Sequence, residues 1–213
     1  MSIMRKTLSP GGRRFAGAAL LVMIAIVGLS GCTAFIGAGA GVGVAAVQER
    51  GIKGRTQDLR LEALVLNRFL SAGLKLTATI GVEVYEGRVM LTGATEDTKL
   101  SDEAVKLAWQ VNGVIDVINE IKFDKNASAM DFAEDVWITT QLKSNLTFDM
   151  DIIAINYAVE TVKGTVYLIG IAQNQRELDR VIAHASAIKH VINVISHVRL
   201  KKKPFEARQV LRQ

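Results

Sequence analysis

The sequence predicts an α+β protein made of two tandem αββαβ units, each a small sheet with helices packed on one face. Three observations predict it. The chain aligns with itself, without a gap, at the 77-residue offset that separates Gly87 from Gly164. Within each copy apolar residues first fall four apart and then alternate, which is helical spacing followed by strand spacing. A glycine-containing pair divides the alternating run, as a hairpin turn requires.

Each element can be justified in order. A first helix carries Leu61, Val65 and Phe69 on one face, matched by Ile138, Leu142 and Leu146. A strand follows in which Ile80, Val82 and Val84 point one way and Gly81, Glu83 and Tyr85 the other. Glu86-Gly87, matched by Lys163-Gly164, makes a tight turn because glycine tolerates positive φ. The return strand reads VMLTG in one copy and VYLIG in the other. A second helix is expected from about Asp97 to Val111 and from Gln175 to Ile188, with Asn174 and Glu177 marking the start of the latter. VIDVINEIKF and VINVISHVRL close the units as final strands. Two copies are a tandem duplication rather than a solenoid, which needs more repeats. Each core is small, so packing of one unit on the other would add stability.

The 213 residues are 49% hydrophobic and 22% charged, a globular composition. Four of the 26 basic residues, Arg5, Lys6, Arg13 and Arg14, precede Cys32, and no acidic residue does. The remainder holds 22 basic against 21 acidic residues and is nearly neutral, which removes the electrostatic support for nucleic-acid binding. Cys32 is the only cysteine, so neither an internal disulfide nor a paired-thiolate zinc site can form.

The N-terminus reads as an address. A basic segment precedes the uncharged run FAGAALLVMIAIVGL, and small residues follow it, which are the parts of a secretory signal. Leu29-Ser30-Gly31-Cys32 resembles the bacterial lipobox. That resemblance implies acylation of Cys32, cleavage before it, and a covalent lipid as the only non-protein group. Thr33, rather than aspartate, follows the cysteine and points to the outer membrane of a Gram-negative cell. The alternative is a retained transmembrane anchor, because the uncharged run continues to Val47, although seven glycines interrupt it. The expected organisation is a signal peptide at 1–31, a lipidated tether at 32–56, the first unit at 57–124, a linker at 125–134, the second unit at 135–203 and a basic tail at 204–213.

A helix, a hairpin ending V-x-L-x-G, a second helix, and G-V-x-x-V before the last strand together resemble the BON domain. DVWITTQLKSNL at Asp135 to Leu146 and GTVYLIGIA at Gly164 to Ala172 carry the resemblance most closely, and it covers Gln57 to Leu200. Two such domains behind a lipobox are similar to the dual-BON outer-membrane lipoproteins. The resemblance implies periplasmic exposure on the outer membrane, binding of phospholipid, anionic by preference, through the second domain, and a role in envelope integrity. Envelope proteins are the alternative partners, in an adaptor role. His190 departs from the pattern, which has glycine there.

No catalytic set is present. His184, His190 and His197 have no cysteine partner and no HExxH spacing, and no serine lies in a GxSxG context, so an enzyme is not expected. Trp137 sits beside Ile138 and is therefore about 100° off the core stripe of its helix. Phe148 follows on the same side, with Lys143 and Thr147 further round. An indole beside a mixed polar face suits a membrane–water interface. These four residues are the expected lipid contact; the alternative is that Trp137 covers the core or packs on the first unit. Trp109 is expected in core or interdomain packing. Lys201 to Lys203, with Arg208 and Arg212, could approach an anionic leaflet.

Overall fold

The computed structural model describes residues 51–124 and 129–201, all within one compact unit, Val44–Gln213. The first copy runs α1 (Gly51–Ala72), a short α2 (Leu74–Thr79), β1 (Ile80–Tyr85), β2 (Arg88–Thr95), α3 (Thr98–Trp109) and β3 (Asp116–Phe123). The second runs α4 (Ala129–Phe148), a 3-10 turn (Ala154–Asn156), β4 (Tyr157–Val162), β5 (Thr165–Ala172), α5 (Gln175–Ser186) and β6 (Asn193–Leu200). Helix α1 begins inside the stretch expected as tether, and α4 begins inside the expected linker. Helix α2 has no counterpart in the sequence-based expectation.

The strands form two three-stranded sheets, ordered β1-β2-β3 and β4-β5-β6. The first two strands of each are antiparallel, and the third returns parallel to the second. A parallel partner needs a crossover, and α3 and α5 supply it. The side chains of Val65 and Phe69 on α1, Val89 and Leu91 on β2, and Ala104 and Ala108 on α3 form the first core. Ile138, Leu142 and Leu146 join Val166, Leu168 and Val181 in the second. Trp109 is not part of the core: α3 turns Leu100, Ala104 and Ala108 toward the sheet, and the next residue rotates away, leaving the indole 51% exposed.

Local chemistry fixes the helix starts and the turns. Asp97 Oδ1 accepts from the Lys99 amide at 3.0 Å, and Asn174 Oδ1 from the Glu177 amide at 3.1 Å, so both second helices have an N-cap. At the hairpins Glu86 and Gly87 have φ of 51° and 73°, and Lys163 and Gly164 have 52° and 68°. Positive φ at both central residues is the type I′ turn, whose twist matches that of the flanking strands. The glycine ending V-x-L-x-G has a different reason: a Cβ on Gly93 would overlap the carbonyl oxygen of Thr79, and one on Gly170 that of Asn156.

The sheet face opposite the helices is also covered. Tyr85 and Met90 of the first sheet pack against Tyr167 and Ile169 of the second, giving an α/β/β/α stack with an apolar middle layer. Polar contacts ring it. Arg88 Nη1 donates to the His197 carbonyl at 2.9 Å, His197 Nε2 meets Glu120 Oε1 at 2.7 Å, and Lys122 Nζ donates to Thr165 Oγ1 at 2.6 Å. The repeat offset converts Glu120 into His197 and Met90 into Tyr167. The Glu120–His197 contact therefore maps onto itself when the two domains are exchanged, and β2 meets β4 as β5 meets β1, which is an approximate two-fold relation.

Candidate functional site

Helix α4 carries the residues singled out for an interface. Its inward face is Ile138, Leu142 and Leu146, all buried. Trp137 is 46% exposed and Phe148 is 83% exposed on the outward side, and Met150, just past the helix, is fully exposed. Lys143 and Thr147 are exposed too, and the Thr147 hydroxyl donates to the Lys143 carbonyl at 2.7 Å within the helix. Lys143 lies on the flank nearest the first domain, where its charge acts on Glu83. Trp137 and Phe148, eleven residues apart on α4, thus share its outward side, Met150 lies next to Phe148 at the end of the helix, and Lys143 is further round.

The end of α4 is held by charge. Asp149 Oδ2 accepts from Arg180 Nε at 2.6 Å and contacts His184 Nε2 at 2.7 Å, both from α5. Those two bonds hold the Asp149 carboxyl well below the usual carboxylate range. The exposed Phe148 and Met150 therefore flank a fixed residue. His190 Nδ1 pairs with Glu134 Oε1 at 2.6 Å, and His197 with Glu120, so each histidine has a carboxylate partner. Among the described residues no group of three or more His, Cys, Asp or Glu side chains could hold a metal, and no helix is long and apolar enough to cross a membrane.

The 77-residue offset also pairs Asp58 with Asp135, whose role was not foreseen from the sequence. Asp58 accepts from the Glu86 and Gly87 amides, both at 2.9 Å, and Asp135 from the Lys163 and Gly164 amides at 2.7 and 2.8 Å. Each first helix is thereby bolted to its own hairpin, 28 or 29 residues away, by a carboxylate that accepts two amide protons. An aspartate repeated three residues before the apolar stripe was the available signal. Cys32 and the tail beyond Lys201 lie outside the described residues.

A chain of two αββαβ units packed through the sheet faces that their helices leave uncovered is a tandem α+β scaffold. The BON domain family model matches residues 57–125 and 134–202, and the chain belongs to that family, with two BON domains in tandem. It is 32% identical over 182 residues to "Outer membrane lipoprotein DolP" of Haemophilus influenzae, covering 84% of this chain and 94% of that one. It is 42% identical over 125 residues to "Uncharacterized protein in gshII 5'region" of Anaplasma centrale, covering 58% of this chain and 83% of that protein. The "21 kDa hemolysin" of Actinobacillus pleuropneumoniae is 32% identical over 139 residues, covering 64% and 72%.

Proposed function

We propose that this protein is an envelope lipoprotein, acylated at Cys32 on the periplasmic face of the outer membrane, whose second BON domain touches anionic phospholipid through α4. One observation carries the lipid contact: the outward side of α4 presents Trp137 and Phe148, with Met150 following, where the first domain has Arg60, Ser71 and Gly73 at the same repeat positions. Apolar and aromatic residues stand where the first domain has a cation, a hydroxyl and a glycine, on a surface that no part of the described chain covers. A likeness over nearly the full length of an outer-membrane lipoprotein supports the location. Acyl chains contribute about 0.8 kcal/mol per buried methylene and hold the domain at the surface, so a weak second contact suffices. Lys143, on the edge, attracts phosphate.

NMR titration of a form beginning at Val44, with anionic and with zwitterionic micelles, tests the contact. Shifts centred on Trp137 and Phe148 with anionic micelles are expected, and Trp137→Glu should abolish them while the remaining spectrum stays folded. Unchanged affinity in a folded Trp137→Glu protein would transfer the role to protein–protein adaptation.

A further inference from the structure

We infer that the first BON domain carries a docking groove of its own, for an acidic segment of a protein partner that places an apolar side chain between two carboxylates. The groove, about 910 Å³, lies between the outward side of α1 and the loop that follows α3. Leu61, Leu64 and Ile115 give it an apolar floor, with Leu64 41% and Ile115 62% exposed. Arg60 and Arg68 flank Leu64 at four residues to either side, so the three form one stripe along α1. Neither guanidinium makes an ion pair or side-chain hydrogen bond among the described residues. Of the two carboxylates in the lining, Asp58 is committed to the hairpin amides and Glu86 stands at the hairpin tip.

The repeat itself supplies the comparison that shows this groove belongs to one domain. In the second copy Gly113 becomes His190 and Gln57 becomes Glu134, and their side chains meet at 2.6 Å across the corresponding place. Leu64 becomes Gln141, and Arg60 and Arg68 become Trp137 and Asn145. The second domain spans this place with the His190–Glu134 contact and has neither cation. The first keeps it open: at Gly113 a Cβ would already come within 3.0 Å of Leu61.

The spacing selects the occupant. Eight residues of helix separate Arg60 from Arg68 by about 12 Å along the axis, a spacing that suits two separate anionic groups. Two carboxylates with an apolar residue between them fit the cation–apolar–cation stripe, and planar guanidinium forks donate paired hydrogen bonds to carboxylates. The Gln110 and Asn112 side-chain amides, also in the lining, can pair with the peptide backbone. This site is separate from α4, so its failure and that of the lipid contact are distinguishable.

The test uses the full chain in neutral phosphatidylcholine nanodiscs and two fluorescein-labelled dodecapeptides, one with glutamates flanking central leucines and one with lysines in their place. Anisotropy should show saturable binding of the acidic peptide, weakened by salt, and none of the basic one. Arg60→Glu with Arg68→Glu should lower affinity at least about tenfold, and Leu64→Gln should lower it several-fold, because all three side chains are on the surface and dispensable to the core. Trp137→Glu should leave it unchanged. No saturable binding, equal binding of both peptides, or no loss in the arginine double variant would overturn the proposal. So would displacement of the acidic peptide by phosphatidylglycerol vesicles in the Trp137→Glu background, which would make the groove a lipid site.

Discussion

Glu83 and Glu160, counterparts at the repeat offset, face each other carboxyl to carboxyl between the two sheets. Each sits on the strand face that bears the apolar middle layer, opposite Met90 and Tyr167 respectively in the hairpin register. Burial, then the charge and hydrogen bond of Glu160, then the charge of Glu62 push the Glu83 carboxyl from 4.5 up to about 8, while Lys143 pulls it back. The two domains meet at this pair, where the Glu83 carboxyl holds its proton well above the usual carboxylate range.

A pH dependence with a definite sign follows. The folded-state value is above the unfolded one, so this contribution to stability is fully present below about 4.5 and is lost as pH rises toward about 8. Glu83→Gln should remove that loss and stabilise the protein at pH 8 by at least ~1 kcal/mol, the worth of a single pKa unit. Thermal melts of both proteins between pH 5 and 8.5 should therefore diverge with rising pH. Parallel curves would show that the pair carries no linked proton.

The hairpin tips should answer to substitution unequally. Valine at Gly87 or Gly164 meets a positive φ and should cost about 1–3 kcal/mol. A Cβ on Gly164 lies 2.8 Å from the His190 carbonyl oxygen and close to Ile192, whereas on Gly87 the nearest atom is 3.1 Å away. Gly164→Val should be the more damaging in urea melts, and the opposite order would contradict the packing described here.

Asp58→Ala and Asp135→Ala should each destabilise by about 2–4 kcal/mol, since each leaves two hairpin amides without their charged acceptor. Asparagine at either position, with one carbonyl oxygen, should restore part of the loss. Amide hydrogen exchange of Gly87 and Gly164 gives the local readout: both should lose protection in the alanine variants.

On the lipoprotein reading proposed above, Cys32→Ser should yield an unacylated, uncleaved precursor, because the sulfur would be the acceptor of the first acyl transfer. Mass spectrometry of membrane-extracted protein decides between this and a retained anchor: the wild type should begin at residue 32 and carry acyl mass. A wild type that keeps its first 31 residues would remove the lipoprotein reading.

The repeat made most of the fold legible, because two copies of a pattern check each other: the helix stripes, the strand alternation, the hairpin glycines and the Asn174 cap all occupy their expected elements. What stayed hidden depended on partners distant in sequence. Tyr85 and Glu83 were assigned to the correct strand face, but nothing local says that this face meets its own duplicate. Trp109 was expected in core or interdomain packing, while the alanines at 104 and 108 were the true inward positions. Helix α2 exists only in the first copy, so the repeat could not announce it. The exposure of Trp137 was legible because its neighbour Ile138 belongs to a stripe.

The approximate two-fold between the domains has the geometry of a homodimer whose protomers have been fused. A protein with a single such module would leave the Tyr85–Met90 face bare and would be expected to self-associate through it. Joining the copies in one chain turns that bimolecular step into an intramolecular one at an effective concentration of about millimolar, independent of expression level. It also frees the two halves to differ. On the axis Glu83 and Glu160 have stayed alike, while Glu120 and His197 have become a complementary pair, an asymmetry that no homodimer of identical chains could encode.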